Sequence, residues 1–191
     1  MSRTSMDMTR GSLKKQILFF SIPLMLSNLL QVLFNMSDIA VIGQFAGAMS
    51  LGAVGSTTTL ISMYTGFLIG LSGGINVLTA LYIGARNRKS VSETVHSAFL
   101  VSLVVGLILL ILGVSTSRGV LVLLNTKEEL IDKAALYIRI YFLGIPALAL
   151  YNFGNAVFSA AGDTGRPLRY LFLSGIVNVI LNLFFVIVCK L

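Results

Sequence analysis

A chain of 191 residues that is 56% hydrophobic and only 11% charged is not a water-soluble globule, because soluble domains carry about 25% charged residues. Fourteen basic and seven acidic residues give a formal charge of +7, but the basic ones lie mostly between apolar runs and form no aromatic-interleaved stripe, which excludes nucleic acid as a partner. One cysteine, Cys189, and one histidine, His96, leave neither a disulfide framework nor a His/Cys metal cluster to assemble.

Residues 1–16, with Arg3, Arg10, Lys14 and Lys15, read as a cytoplasmic N-terminal segment. Ala46-Gly47-Ala48 looks like a leader cleavage site. The apolar stretch before it is about twice a normal signal core and is followed by further spans, so it reads as a retained helix. A membrane helix needs about 20 apolar residues. Five segments meet that length, at about 17–42, 51–83, 96–114, 134–161 and 170–188, and the expected fold is an all-α integral membrane protein.

In the first span, Asp38 is the only charge between Ile17 and Ala85. Asn35, Gln31, Asn28 and Ser21 precede it at helical spacing, so these side chains share one stripe of an apolar helix. A carboxylate in a bilayer costs several kcal/mol, and such residues mark ion or substrate paths. Competition between a proton and another cation for Asp38 would supply a basis for coupling. Pro23, just below the stripe, removes an intrahelical hydrogen bond and is expected to bend the helix.

The second span is longer than a bilayer requires and must tilt, bend or project. Gly66 and Gly70 form a small-xxx-small pattern, and with Gly73 and Gly74 they are read as packing positions. Arg86-Asn-Arg88-Lys89 is an inside-retention signal that can touch anionic lipid. Ser90-Val-Ser-Glu93 has the capping-box pattern and is expected to open the third span, with His96 at the interface. Arg118 to Asn125 reads either as a short interfacial segment or as a continuation of that helix.

Thr126-Lys-Glu-Glu129 repeats the capping pattern, so the fourth helix is expected to begin in water. Arg139 lies near its outer end and is read as structural, and Pro146 is a second expected bend. Asn152, Asn155 and Ser159 cluster on one face and are read as hydrogen bonding across helices, a gain of about 0.6–2 kcal/mol. Gly162 can end this helix and Pro167 suits the first turn of the next. In the fifth span Ser174, Asn178 and Asn182 recur every four residues and are read as lining a cavity.

Nine basic residues fall on the side of the N-terminus and five on the other, which makes the first side cytoplasmic. An odd span count leaves the last helix without a pairing partner, so the chain reads as a fragment of a larger transporter.

The segments FSIPLMLSNLLQVLFNMSDIAVIGQFAG, Leu81-Tyr-Ile-Gly-Ala-Arg86, Ser159-Ala-Ala-Gly-Asp-Thr-Gly-Arg-Pro167 and the N-x-x-x-N of Asn178 and Asn182 occur in this order. Together they resemble the N-terminal half of the multidrug and toxic compound extrusion (MATE) family. The resemblance implies a twelve-helix antiporter of two six-helix lobes, driven by Na+ or H+ and expelling organic cations across the cell membrane. This chain would be an incomplete first lobe, lacking the sixth helix and the second lobe.

Asp38 matches the family's first-helix acid, and Asn178 and Asn182 match its fifth-helix N-x-x-x-D, with an amide in the second place. An amide carries no titratable proton, so coupling would rest on Asp38 or on amide oxygens around a sodium ion at Asp38, Asn178 and Asn182. Asn28, Gln31, Asn35 and Ser174 would line the substrate cavity. No cofactor beyond the coupling ion, and no enzymatic activity, is implied. A lipid-linked precursor flippase would want several Arg or Lys in its cavity, and an intramembrane enzyme would need a catalytic cluster at membrane depth. A non-transporting membrane scaffold is the remaining alternative.

Overall fold

The computed structural model describes residues 13–189, and among them there is no strand. Arg3, Arg10 and Lys190, with most of the expected N-terminal segment, lie outside the described residues. The helices are α1 (Leu13–Val41), α2 (Gly47–Gly84), α3 (Arg88–Leu123), α4 (Glu128–Leu143), α5 (Ile145–Ala160) and α6 (Gly165–Leu183). Two π-helical turns, Ile42–Ala46 and Phe184–Val188, follow α1 and α6.

Three helical stretches are long and apolar enough to cross a membrane: Lys14–Gly84, Arg88–Leu123 and Gly165–Val188. A fourth is the pair α4 and α5, which meet at 48°. The first stretch has 71 residues, and at about 1.5 Å per residue it is long enough for more than one crossing. It is broken at Gly47, whose φ of 81° and ψ of 170° suit a residue without Cβ. The break between α4 and α5 falls at Gly144, and Pro146 stands in the first turn of α5, where its missing N–H costs no helical bond.

Several boundaries differ from the sequence reading. The helix of the third span continues through Arg118 to Leu123, so the interfacial-segment alternative is not what forms. Its N-cap is Asn87, whose side chain accepts the Ser90 N–H at 3.1 Å; Ser90 sits inside the helix. At α4 the N-cap position is Lys127, with no side-chain cap, and Glu128 and Glu129 in the first turn complement the helix dipole instead. The end of α5 matches the reading: Gly162 has φ 78°, and the Asp163 N–H returns to the Phe158 carbonyl at 2.9 Å.

Three pairings set the helix arrangement. The α2 helix runs parallel to α4 and α5, with Tyr64 edge-on to Phe142 at 4.8 Å and the Asn76 amide donating to the Ala156 carbonyl at 2.8 Å. The α3 helix runs antiparallel to α4 and α5, with Gly113 against Phe142 and Gly106 against Pro146. The α1 helix pairs with α6, parallel, through Phe34 on Gly175 and Asp38 on Asn182. Leu60, Leu68, Leu109, Leu121, Ile138, Phe142 and Ile145 form the core of the α2–α5 group.

The glycines that permit close approach are not those singled out by pattern. Gly66, Gly70, Gly73 and Gly74 face open space, whereas the buried stripe of α3 is Ala98, Ser102, Gly106, Leu109, Gly113, Ser117 and Leu121. A Cβ on Gly106 would stand 2.7 Å from the Pro146 Cα. Gly106→Ala is therefore expected to lower stability by about 1–3 kcal/mol, the usual cost of overpacking. Gly70→Ala, which meets nothing within 4 Å, should raise stability by roughly 0.5–1 kcal/mol through helix propensity. Thermal unfolding of the purified protein in detergent checks both signs.

Candidate cation site between the first and last helices

The parallel register of α1 and α6 is what makes a site. Phe34 rests on the bare backbone of Gly175, which lets the two helices close up. One turn further along α1 and two along α6, Asp38 and Asn182 come level. The Asn182 Nδ2 donates to Asp38 Oδ1 at 2.7 Å, the short length of a charge-assisted bond. Both residues are half-buried. Among the described residues, no further hydrogen bond reaches the second carboxylate oxygen or the Asn182 carbonyl oxygen. That leaves two oxygen acceptors of the kind that a proton or an alkali cation takes.

The other proposed site residues fall around this pair rather than on it. Asn178 lies one turn nearer the start of α6, is exposed, and makes no hydrogen bond among the described residues. Asn28, Gln31 and Asn35 are likewise exposed and unbonded, on a helix that α6 covers on one side only. Asn28 edges a shallow groove of about 460 Å³ otherwise walled by Met25, Leu26, Leu29 and Val32. The Ser174 hydroxyl donates to the Leu171 carbonyl of its own helix at 3.0 Å. The α1 helix stays α-helical through Pro23.

Tyr137 of α4 is within electrostatic range of Asp38, and Tyr141, one turn on, is within range of Tyr137. Both are half-buried and pack against the α2–α5 core, and their i, i+4 spacing beside Ile138 and Phe142 is the signal in the chain that could have found them. Asn152 and Asn155 also differ from expectation. Asn152 donates to the Leu148 carbonyl at 2.9 Å, and Asn155 accepts from Ser159 at 3.4 Å, all within α5. The bond across helices is made by Asn76 instead.

Among the described residues no three His, Cys, Asp or Glu side chains converge. Charges at the helix ends are exposed: Arg118 pairs with Asp132 at 3.5 Å and Lys89 with Glu93 at 4.0 Å, contacts that contribute at most about 1 kcal/mol. Asp38 is the one carboxylate in α1, α2 and α6.

The MatE family model matches residues 23–184. The chain belongs to the MatE family. It is 34% identical over 186 residues to the probable multidrug resistance protein YpnP of Bacillus subtilis, a match covering 96% of this chain and 41% of that protein. It is 26% identical over 170 residues to the probable multidrug resistance protein NorM of Thermotoga maritima, covering 89% and 36%. A crystal structure of MATE in the bent conformation superposes with a TM-score of 0.87 at 26% identity, covering 94% of this chain and 40% of that one. MATE in the straight conformation superposes about equally, with a TM-score of 0.86. This MatE chain spans about 40% of the length of the relatives it matches, corresponding to the N-terminal part of the transporter. MatE proteins are transporters embedded in the membrane by several helices, and the apolar helices of this chain fit that description.

Proposed function

We infer that the MatE chain is the ion-coupling part of a secondary antiporter that exports organic cations in exchange for Na+ or H+. The observation that carries this reading is the 2.7 Å bond between Asp38 and Asn182, which joins two membrane helices around a lone carboxylate. A carboxylate held by one amide can exchange that amide for a proton, a sodium ion or an organic cation, and mutually exclusive occupancy is what antiport requires. Asn28, Gln31, Asn35, Asn178 and Ser174 would line the substrate cavity next to it, with the sixth helix and the second lobe closing the far side.

Relatives named as multidrug export or resistance proteins support the substrate class. A flippase for anionic lipid-linked precursors is disfavoured, since the residues proposed to line the cavity are amides, a serine and an acid rather than Arg or Lys. The excess of basic residues beside the N-terminus supports placing it in the cytoplasm, with the protein in the cell membrane.

The ion is decided by efflux of a cationic dye from proteoliposomes of the complete transporter under an imposed sodium or pH gradient. Because residue 182 is an amide and supplies an oxygen but no titratable proton, sodium is expected to drive export at least as well as protons. Export that neither gradient accelerates would refute the antiporter reading.

A further inference from the structure

We propose that Arg139 and Arg118 bind the phosphate of an anionic phospholipid, on one flank of α3 and α4 in the leaflet far from the N-terminus. Arg139 is exposed and makes no hydrogen bond, ion pair or ring contact among the described residues. Its neighbours on the surface of α4, Leu136 and Leu143, are 59% and 67% exposed, so the guanidinium stands among apolar side chains. The topology rule that gathers basic residues beside the N-terminus gives no reason for an arginine at this end. An unpaired cation at membrane depth is costly, and the anion a bilayer offers it is a lipid phosphate.

The packing of α3 on α4 puts a second guanidinium beside the first. The two helices are antiparallel, with Gly113 against Phe142. One turn from that contact on each helix brings Ser117 level with Ile138, both buried. In an antiparallel pair the residue after each contact turns to the same flank, so Arg118 and Arg139 stand level on one side. Arg118 pairs with Asp132, which lies seven residues before Arg139 on the same stripe of α4, as that arrangement requires. The pair is loose, 3.5 Å between side chains 66% and 84% exposed, so Arg118 can leave it for a phosphate. Tyr137 and Tyr141 occupy the other flank of α4, toward Asp38, which keeps this site apart from the ion site.

The level suits a headgroup. On α3 the run Ser115-Thr-Ser-Arg118 interrupts the apolar stretch, and the Ser115 and Thr116 hydroxyls donate to carbonyls of their own helix, those of Ile111 and Leu112. The two arginines are therefore the groups at this level with donors to spare. One turn deeper on the same flank stand Val114 and Leu143, where an acyl chain would run. Guanidinium forks grip phosphate oxygens in pairs, which an ammonium cannot do.

The test uses the complete transporter in vesicles, with native cysteines replaced and a bimane label at position 143. Brominated phosphatidylglycerol and brominated phosphatidylcholine, at equal mole fraction, are compared as quenchers. The parent is expected to prefer phosphatidylglycerol about fivefold, the contribution of one guanidinium at a membrane surface. Arg139→Gln should bring the ratio close to one, with Arg139→Lys in between. Arg118→Gln should lower it too, and gives the reading should Arg139→Gln insert poorly. Equal quenching by the two lipids in the parent, or a preference that survives in both glutamine variants, would overturn the site. So would the absence of quenching by either lipid, which would mean that protein covers this flank. Loss of the preference on adding glycerol phosphate would overturn it as well, by marking a soluble anion as the ligand.

Discussion

Asp38→Asn in the complete transporter is expected to reduce gradient-driven export to the level of empty vesicles, with insertion and folding intact. The substitution conserves shape and can still meet the Asn182 amide, so packing is nearly untouched. What disappears is the negative charge. An amide cannot release a proton near neutral pH, and its single carbonyl oxygen binds a cation far more weakly than a carboxylate does. Removal of a positioned proton-transfer group costs about 100-fold or more in rate, and the loss here should be at least of that order. Dye efflux from proteoliposomes, with protein content normalised by size-exclusion profile, measures it. Binding of the organic cation should persist in the variant, because hydrophobic and amide contacts remain.

The second large effect is expected at Gly175, a position with no chemistry of its own. A Cβ there would overlap the Phe34 ring, so any side chain must push α1 off α6. Seven residues further along α6, the Asp38–Asn182 bond would open, and an unpaired half-buried carboxylate is left behind, a loss of about 1.5–3 kcal/mol for a hydrogen bond to a charged group. Gly175→Val should therefore abolish export and lower the melting temperature together. Phe34→Ala should restore part of both in the double variant by vacating the space. That coupling between positions 34 and 175 is a double-mutant cycle, and additive losses would mean that the two helices meet elsewhere.

Much of this was legible in the chain. A lone carboxylate among apolar residues, with amides spaced three and four apart before it, marked Asp38 without any structure, because membranes tolerate such groups only for cause. The four-residue spacing of Ser174, Asn178 and Asn182 singled out Asn182, which bonds Asp38. What the pattern could not supply was level. Asn178 and Asn182 share a face, but one helical turn of about 5.4 Å separates them along the axis, and only the register of α1 on α6 decides which reaches Asp38. That register is set by Phe34 on Gly175, a contact between residues 141 apart that no local spacing reveals.

Glycine positions failed for a related reason. Gly66 and Gly70 have the small-xxx-small spacing, but spacing identifies a smooth face and not the neighbour that will use it; α3 presented Gly106 and Gly113 to α4 and α5 instead. At the start of α3, Asn87 and Ser90 are both good caps, and the helix begins at the earlier one, which gains it another turn. Asn76 lies in a glycine-rich stretch without a polar partner in sequence, and only the parallel packing of α2 on α5 brings it to the Ala156 carbonyl.

Ion binding to the purified complete transporter puts the account most directly at risk. Radiolabelled sodium and the protons released on adding substrate should both be counted, in the parent and in Asp38→Asn. The parent should bind a cation that the organic substrate displaces, and the variant should lack it. Equal ion binding and equal displacement in the two proteins would contradict a coupling site at Asp38 and Asn182.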